Sequence, residues 1–309
     1  GLLAEVAGLV EWPVPLMGKI DDEFMDVPEE VLVSVMRTHQ KYLALRDKDG
    51  QLAPRFITIA NIETADKGAK IIAGNERVLR ARLSDARFFW DEDRKTDLSA
   101  RKPELEKVTF HAKLGTVSDK TDRIEKLVAY FANIESGFSF EDLSQNVSDE
   151  VASEAAALCK ADLVTGMVYE FPELQGIMGG YYAALQIGDD KVGNAIRDHY
   201  KPLGPNDAIP ATSEGRLVAM SDKMDTLAGF WLIDELPTGS KDPYALRRAS
   251  LGIIRMLIEG GRRLNLDGFI NAAMQNYPAS LSASSGDSSA SERLRLFFIE
   301  RLKIYLRDK

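Results

Sequence analysis

The chain has 309 residues, of which 45% are hydrophobic, so it is long enough to form two domains with sizeable cores. Its net charge of −9 argues against a general nucleic-acid coat, although it does not exclude a local basic patch. No apolar run approaches the roughly 18 residues of a membrane span, and the first residues lack the pattern of a signal peptide. The single cysteine, Cys159, excludes an internal disulfide and fits a reducing cytoplasm.

The first hundred residues predict a mixed α and β region. The strand-like runs are 13–20, 41–46 and 55–61. Asp49-Gly50 supplies a hairpin turn between the last two runs. Residues 28–30, Pro-Glu-Glu, are typical of a first helical turn, and an apolar helical face follows at 31–36.

Residues 74–94, GNERVLRARLSDARFFWDEDR, predict a long helix capped by Asn75. One arc of this helix, opposite its apolar face, carries Arg77, Arg80, Arg87 and Arg94. Such a stripe is either a solvated face or a surface that contacts nucleic-acid phosphates. Arg82 instead points into the apolar arc, which predicts a buried acceptor for its guanidinium.

From residue 98 onward, strand signals end and helix signals repeat. The segment 98–103 is the predicted domain boundary, and the segment 102–114 that follows reads as helical. Ser118 is the predicted cap of the next helix, and 135–148 is predicted to be a polar loop.

The centre of the chain, 155–185, predicts two helices joined at Phe171-Pro172. Asp162 falls in the middle of the apolar face of the first helix, and Tyr169 lies on the same face. Cys159 is expected in the core. A carboxylate aimed into a core must be paired, ligated or protonated. In the second helix, three glycines predict close helix packing at mid-helix: Gly176, Gly179 and Gly180.

The last third continues with a helix at 189–200, a proline-containing loop at 201–212 and a helix capped by Ser213. Asp225 borders the apolar stripe of that helix, and Asp222 lies further round. The stripe consists of Leu217, Met220, Met224, Leu227 and Trp231. Asp242 as cap and Pro243 at the first position predict a helix to Glu259, with Arg248 and Arg255 on one face. A serine- and alanine-rich linker, 279–291, then precedes a last helix with Ser289 and Glu292 as a capping box.

Short catalytic motifs are missing from the sequence. It contains no GxxxxGK[ST], no GxGxxG and no CxxC, and no serine–histidine–carboxylate arrangement can be read from its spacings.

Three long stretches carry a resemblance to a known family. They are GNERVLRARLSDARFFWDEDR, KADLVTGMVYEFPELQGIMGGYY, and SDKMDTLAGF with the later PTGSKDPYALRRASLGIIR, and EVAGLVEWPV and KLGTVSDKTDRIEKL agree as well. In order and spacing, they resemble the beta subunit of bacterial heterotetrameric glycyl-tRNA synthetase to about Asn265. The resemblance implies an internal fragment of the α+β class, mainly α. It has a mixed α/β accessory domain at 1–100, incomplete at its N-terminus, an HD-like all-helical domain at 106–262 and a helical extension at 263–309.

The resemblance also implies a function. The fragment would belong to an ATP-dependent glycine–tRNA ligase of two alpha and two beta subunits, in the cytoplasm and away from membranes. ATP, Mg²⁺ and the adenylate chemistry would belong to the alpha subunit, so the fragment alone would hold no cofactor and would be inactive. Its expected partners are the alpha subunit, tRNA(Gly) and a second beta subunit. The basic residues expected to contact tRNA phosphates are Arg77, Arg80, Arg87, Lys241, Arg248 and Arg255.

Active HD-domain phosphohydrolases hold a divalent metal with histidines and aspartates, and here that pattern is degenerate. The His-Asp position reads Ala161-Asp162, His111 lies roughly where a first histidine would be, and Asp222 or Asp225 could take the last position. The resemblance therefore implies no catalytic residue and no metal, and it suggests that Lys223 or Arg247 balances the charge of Asp162. The alternatives are a metal-dependent phosphohydrolase and a purely structural assembly module.

Overall fold

The computed structural model describes residues 1–132, 148–284 and 289–307. They divide into two compact units, the first made of 1–96 and 165–175 and the second of the described residues in 97–164 and 176–309. Helices predominate and strands are few, so the predicted α+β, mainly α class is confirmed. The domain limits predicted from the sequence, at residues 100, 106 and 262, remain predictions.

The helices and strands of the first unit are α1 (Leu2–Leu9), β1 (Val14–Lys19), α2 (Glu29–Ser34), β2 (Leu43–Arg46), β3 (Leu52–Ala60), α3 (Ala69–Asp93) and α7 (Gly166–Glu170). Short 3₁₀ turns lie at Asp22–Phe24 and Pro172–Leu174, and a π-helical turn lies at Val35–His39. β3 pairs antiparallel with both β1 and β2, with Val14 opposite Ala60 and Leu43 opposite Ile57. The three predicted strands and the Asp49-Gly50 turn are therefore confirmed.

Two predictions about α3 are wrong. The helix begins at Ala69, and Asn75 lies inside it, where its side chain bonds the Ile71 carbonyl oxygen and accepts from the Tyr42 hydroxyl. Arg82 is exposed, and among the described residues its ion-pair partner is the half-exposed Glu170, at 3.8 Å, rather than the predicted buried acceptor. Only part of the apolar arc predicted from the sequence is buried in the fold, because neighbouring segments cover only some of its positions.

The second unit contains α4 (Leu98–Arg101), β4 (Thr109–His111), β5 (Gly115–Thr116), α5 (Val117–Ala132), α6 (Asp149–Leu158), α8 (Ile177–Ile187), α9 (Asp190–Asp198), α10 (Ser213–Leu232), α11 (Leu246–Glu259), α12 (Leu266–Gln275) and α13 (Ala290–Arg307). Further 3₁₀ segments are Lys102–Lys107, Ala161–Val164 and Ala279–Ser284. Helix α10 lies at its centre and packs against α5, α6, α9, α11, α12 and α13. None of the described helices is long and apolar enough to cross a membrane.

The prediction that strands end before residue 98 is wrong. After a 3₁₀ segment, Thr109–His111 and Gly115–Thr116 form an antiparallel hairpin in place of the predicted helix. Thr109 and Phe110 favour strands, and Gly115 adopts a φ of +90°, which suits the turn. The predicted polar loop at 135–148 lies almost wholly outside the described residues.

Several helix starts differ from the predictions by one to three residues. Thr116, rather than Ser118, caps α5. Its hydroxyl accepts from the Asp119 N–H, and the Asp119 carboxylate accepts from the Thr116 N–H. Thr212, rather than Ser213, caps α10. Asp242 does accept from the N–H groups of Leu246 and Arg247, but Pro243 precedes the helix.

The prediction of a flexible linker at 279–291 is wrong at both of its ends, because a 3₁₀ segment occupies its first residues and α13 begins at Ala290. Residues Ala279–Ser284 form a 3₁₀ segment, and residues 285–288 lie outside the described part. The Ser289 hydroxyl accepts from the Glu292 N–H, which confirms Ser289 as the cap of α13. Of the predicted capping box, only this hydrogen bond is formed between these two described residues.

The central two-helix prediction is half right. The break at Phe171-Pro172 is confirmed, but the first helix ends at Leu158, and a 3₁₀ turn and then α7 follow. A continuous helix would have placed Tyr169 on the buried face. Because the helix ends before it, the Tyr169 side chain is 85% exposed. Gly179 and Gly180 lie where α8 packs against α9, as predicted, whereas Gly176 precedes α8 with a φ of +79°.

Candidate functional site

Helix α10 carries two aspartates, Asp222 and Asp225, into the core of the second unit. Almost every side chain of this helix is buried, because other helices pack around it. Asp225 is completely buried and Asp222 nearly so. Buried carboxylates are tolerated only when charged or polar groups compensate them.

Two lysines bind both oxygens of the Asp222 carboxylate. Lys120 Nζ lies 2.9 Å from Oδ1, and Lys160 Nζ lies 3.0 Å from Oδ2. Both lysine side chains are themselves buried. Burial alone would raise the pKa of Asp222, but the ammonium groups of Lys120 and Lys160 outweigh it and hold the pKa well below its usual value.

Asp225 is bound by an arginine and shares one of these lysines. Arg123 Nε lies 2.6 Å from Asp225 Oδ1, and Lys120 Nζ lies 3.0 Å from Oδ2. The Arg123 guanidinium also stacks on the Tyr277 ring, 4.1 Å from its centre. Burial would lower the pKa of Arg123, but Asp225 raises it above its ordinary value. This guanidinium therefore stays charged in the core.

Lys160 also contacts a buried histidine. His199 Nε2 lies 2.9 Å from Lys160 Nζ, while His199 Nδ1 lies 2.6 Å from the Ile196 carbonyl oxygen. These distances assign the ring proton to Nδ1, which donates to the carbonyl, and leave Nε2 to accept from the ammonium group. Burial and the charge of Lys160 lower the pKa of His199 well below its usual value, so the ring is neutral.

Asp162, by contrast, is bound by backbone groups. It is completely buried on its 3₁₀ turn, and its Oδ2 accepts from the N–H groups of Gly176, at 2.5 Å, and Gly179, at 3.0 Å. These N–H groups belong to the start of α8, so the carboxylate caps that helix from a distant part of the sequence. Burial raises the pKa of Asp162 to about 6, although the two backbone hydrogen bonds oppose the shift.

The predicted cations for Asp162 are wrong. Lys223 Nζ donates to the carbonyl oxygens of Tyr200, at 3.0 Å, and His199, at 3.5 Å. Arg247 donates to carbonyl oxygens of the loop before α11. The prediction failed because it considered only charged side chains as partners, whereas backbone N–H groups of Gly176 and Gly179 bind this carboxylate.

His111 lies in a different cluster. It is on β4, where its Nε2 is 3.3 Å from Glu235 Oε2 and its ring contacts Phe230 and Tyr244. Within the described ranges, it makes no recorded contact with Asp162, Asp222 or Asp225, and no three histidine, cysteine, aspartate or glutamate side chains are grouped to hold a metal. The donor set does not fit a divalent metal, because lysine ammonium groups already bind both oxygens of Asp222.

Sequence reasoning missed the basic residues that contact the two aspartates, and it also missed the neutral His199 beside them. The basic residues are Lys120, Arg123 and Lys160. A signal was present, because Lys120 and Arg123 lie in the same helical repeat as the buried Ile124 and Leu127. Lys160 likewise lies between Cys159 and Ala161, both completely buried. Basic residues inside an apolar pattern indicate buried ion pairs.

The arginines of α3 differ in whether an acidic side chain already binds their guanidinium group. Arg77 is exposed and has no recorded ion pair within the described part of the chain. Arg80 Nε and Nη2 bind the Asp21 carboxylate at 2.5 and 3.2 Å. Arg87 bonds the Glu23 carbonyl oxygen and lies 3.3 Å from Asp26.

The basic residues in and before α11 differ in the same way. Lys241 and Arg248 are exposed, and the only hydrogen bond recorded for the Arg248 guanidinium within the described ranges is to the Leu203 carbonyl oxygen, at 3.5 Å. Arg255 binds Glu259, at 2.9 Å, and two loop carbonyl oxygens. Contact of any of these residues with tRNA remains a prediction.

Comparison with known proteins supplies further information. The family model described as "Glycyl-tRNA synthetase beta subunit" matches residues 1–309. The chain is 52% identical over 309 residues to the glycine–tRNA ligase beta subunit of Rhodospirillum centenum, and 50% identical over 315 residues to that of Phenylobacterium zucineum. Both matches cover 100% of this chain but only 42% of the relative.

Proposed function

This chain belongs to the family of glycyl-tRNA synthetase beta subunits, and on that premise we propose that it binds tRNA(Gly) and assembles with an alpha subunit in a glycine–tRNA ligase. On this proposal the chain supports aminoacylation without adenylate chemistry of its own. ATP and Mg²⁺ act through the alpha subunit, a second beta subunit completes the heterotetramer, and the complex works in the cytoplasm.

The observation that carries the tRNA-binding proposal is the basic surface of α11 and the turn before it. Lys241 and Arg248 are exposed there, and neither has a recorded carboxylate partner within the described part of the chain. Exposed cations without acidic partners attract phosphates and release counterions when they bind them. Arg77, on α3 of the first unit, is likewise exposed and has no recorded carboxylate partner among the described residues. We therefore expect Arg77, Lys241 and Arg248 to contribute most to phosphate contact.

Arg80, Arg87 and Arg255 are expected to contribute less. Each already binds an acidic side chain of its own unit, and a phosphate would have to compete with that carboxylate. Arg255 in particular links α11 to the preceding loop through the carbonyl oxygens of Gly204 and Asp207. Its main contribution is therefore to hold the basic surface in shape.

The phosphohydrolase alternative has little support in the geometry. A metal that activates water would have to displace lysine ammonium groups here, because Lys120 Nζ lies 2.9 Å from Asp222 Oδ1 and Lys160 Nζ donates to Asp222 Oδ2. His199 Nε2 likewise accepts from Lys160. The assembly-module alternative makes a different prediction. It requires tight binding to the alpha subunit without measurable affinity for tRNA.

The test is tRNA(Gly) affinity of the intact ligase at several salt concentrations, with Arg248→Gln and Lys241→Gln in the beta subunit. Each variant should weaken binding and flatten the slope of log affinity against log salt by about one unit. The matched control is Arg295→Gln, because this arginine is paired with Asp267 at 3.7 Å and removal of its charge should leave the slope unchanged. Slopes that stay unchanged in both test variants would remove this surface from the tRNA contact.

A further inference from the structure

A cavity of about 340 Å³ lies in the second unit between the loop after α9, helix α11 and helix α13. Its apolar walls are formed by Pro202, Pro205, Leu251, Ile304 and Tyr305. The volume falls within the range of small-molecule sites, about 300–1,000 Å³. Aliphatic and aromatic walls of this kind suit a flat, weakly polar group such as a nucleobase.

Hydrogen bonds fix the shape of the cavity. Arg255 Nη1 and Nη2 donate to the carbonyl oxygens of Gly204, at 2.9 Å, and Asp207, at 2.7 Å, which ties the loop to α11. Its Nε binds Glu259 at 2.9 Å, and the Tyr305 hydroxyl donates to the same carboxylate at 3.1 Å. The Tyr305 ring is thereby held in the wall, and the charges of Arg255 and Glu259 compensate each other.

Arg248 supplies a charge that is not compensated in this way. It lines the cavity but is exposed, and its single recorded hydrogen bond within the described ranges, to the Leu203 carbonyl oxygen, is 3.5 Å long. A carbonyl oxygen at that distance neutralises little of the guanidinium charge. The cavity therefore combines apolar walls with one cation, which is complementary to a flat ring that carries one anionic group.

We propose that this cavity binds one unstacked nucleotide of the tRNA, with its base against Leu251 and Tyr305 and its phosphate at Arg248. This inference rests on the proposed tRNA-binding function and names the place where a single base is held. Proteins that bind single-stranded RNA stack its bases on aromatic side chains and contact its phosphates with arginine. The aromatic wall and the arginine lie here in one cavity.

The test fills the cavity without changing its charge. In the intact ligase, Leu251→Trp should weaken tRNA(Gly) binding about 10-fold, the size of one lost stacking contact, while the salt slope stays that of the wild type. Adenosine 5′-monophosphate should compete with tRNA for the wild-type protein and not for Leu251→Trp. Arg248→Gln should differ from both the wild type and Leu251→Trp, because it removes a cation and flattens the salt slope.

The control is Ile258→Trp, which adds the same ring at a position of α11 that is 43% exposed and does not line the cavity. It should bind tRNA as the wild type does. If Leu251→Trp lowers the thermal unfolding midpoint, Tyr305→Ala provides a second route, because it removes the aromatic wall and should also weaken binding. Wild-type affinity in the folded variants, with no competition by the mononucleotide, would overturn this inference alone. Failure of the wild-type ligase to bind tRNA would overturn the proposed function itself.

Discussion

Asp162 and Asp222 are both buried in the second unit, yet the fold accommodates them by different means. Backbone N–H groups at the start of α8 bind Asp162, and the pKa of this carboxyl is raised by burial to about 6. Two lysine ammonium groups bind Asp222, and the pKa of this carboxyl is well below its usual value. At Asp162, the backbone hydrogen bonds and the more distant charge of Lys160 do not fully offset the rise in pKa that burial causes. At Asp222, the positive charges led by Lys120 and Lys160 outweigh the effect of burial.

The difference also explains how the fold keeps two carboxylates buried in one unit. In the region of Asp222 three cations, Lys120, Lys160 and Arg123, face two carboxylates, Asp222 and Asp225. At Asp162 the hydrogen bonds matter more than the charge. An aspartate-to-asparagine substitution, which removes charge but keeps shape, should therefore change the free energy of unfolding at pH 7 far more at Asp222 than at Asp162.

The largest expected effect is that of Asp222→Asn. The amide leaves Lys120 and Lys160 buried beside a neutral group, and removing one partner of a buried pair costs about 3–5 kcal/mol. Urea unfolding at pH 7 measures the loss. The control is Asp122→Asn, because Asp122 is exposed on α5 and should change the free energy of unfolding by no more than about 0.5 kcal/mol. Near-wild-type stability of Asp222→Asn would mean that the lysines do not depend on this carboxylate.

The second prediction concerns coupling between Lys160 and Asp222. In a double-mutant cycle, Lys160→Met should be less harmful in the Asp222→Asn protein than in the wild type, because it removes a cation that has lost its counter-charge. The expected coupling is about 1–3 kcal/mol, typical of buried neighbours. Additive losses would show that the 3.0 Å pair carries no specific interaction energy.

A smaller effect is expected for Gly179→Ala, which tests the space around Asp162. A methyl group here would lie 2.9 Å from Ile196 Cγ2 and 3.1 Å from the carboxyl carbon of Asp162. Overpacking should lower the free energy of unfolding by about 1–3 kcal/mol, and the higher helix propensity of alanine should return about 1 kcal/mol. We therefore expect a modest net loss of stability. Gly74→Ala in α3 is the comparison, since nothing lies within 4 Å of its added carbon and it should stabilise the protein slightly. Stabilisation by both substitutions would refute the close packing.

The smallest effect at pH 7 is that of Asp162→Asn, which should change the free energy of unfolding by about 1 kcal/mol or less, because the amide oxygen still accepts from two N–H groups. Its effect on pH dependence should be larger. The folded-state pKa of about 6 exceeds the unfolded value of 3.8, so the folded protein binds the proton first and gains stability as pH falls through this window. The gain is at most about 3 kcal/mol and should vanish in Asp162→Asn.

Asp222 should act in the opposite direction and at lower pH. Its folded-state pKa lies well below 3.8, so the stability that its ionised form contributes is present above pH 3.8 and is lost as pH falls further. Unfolding curves of Asp162→Asn that keep the wild-type gain between pH 6 and 4 would show that another group causes it.

Local features of this cluster could be predicted from the sequence, but its pairings could not. Apolar spacing correctly placed Asp162 in the core, and it marked Leu217, Met224 and Trp231 as one buried stripe of α10. The partners of the aspartates were missed because Lys120 and Asp222 lie 102 residues apart and lysine is ordinarily exposed. The switch from α-helix to a 3₁₀ turn before Asp162 depends on tertiary packing, which a helical period does not contain.

The most direct test of this account is a carbon-13 NMR titration of the carboxyl groups of Asp162 and Asp222 in the folded protein. The account predicts that Asp162 takes up its proton near pH 6, while Asp222 remains ionised below pH 3.8 for as long as the protein stays folded. If Asp222 became protonated at a higher pH than Asp162, the lysines would not be balancing its charge, and the central claim would be contradicted.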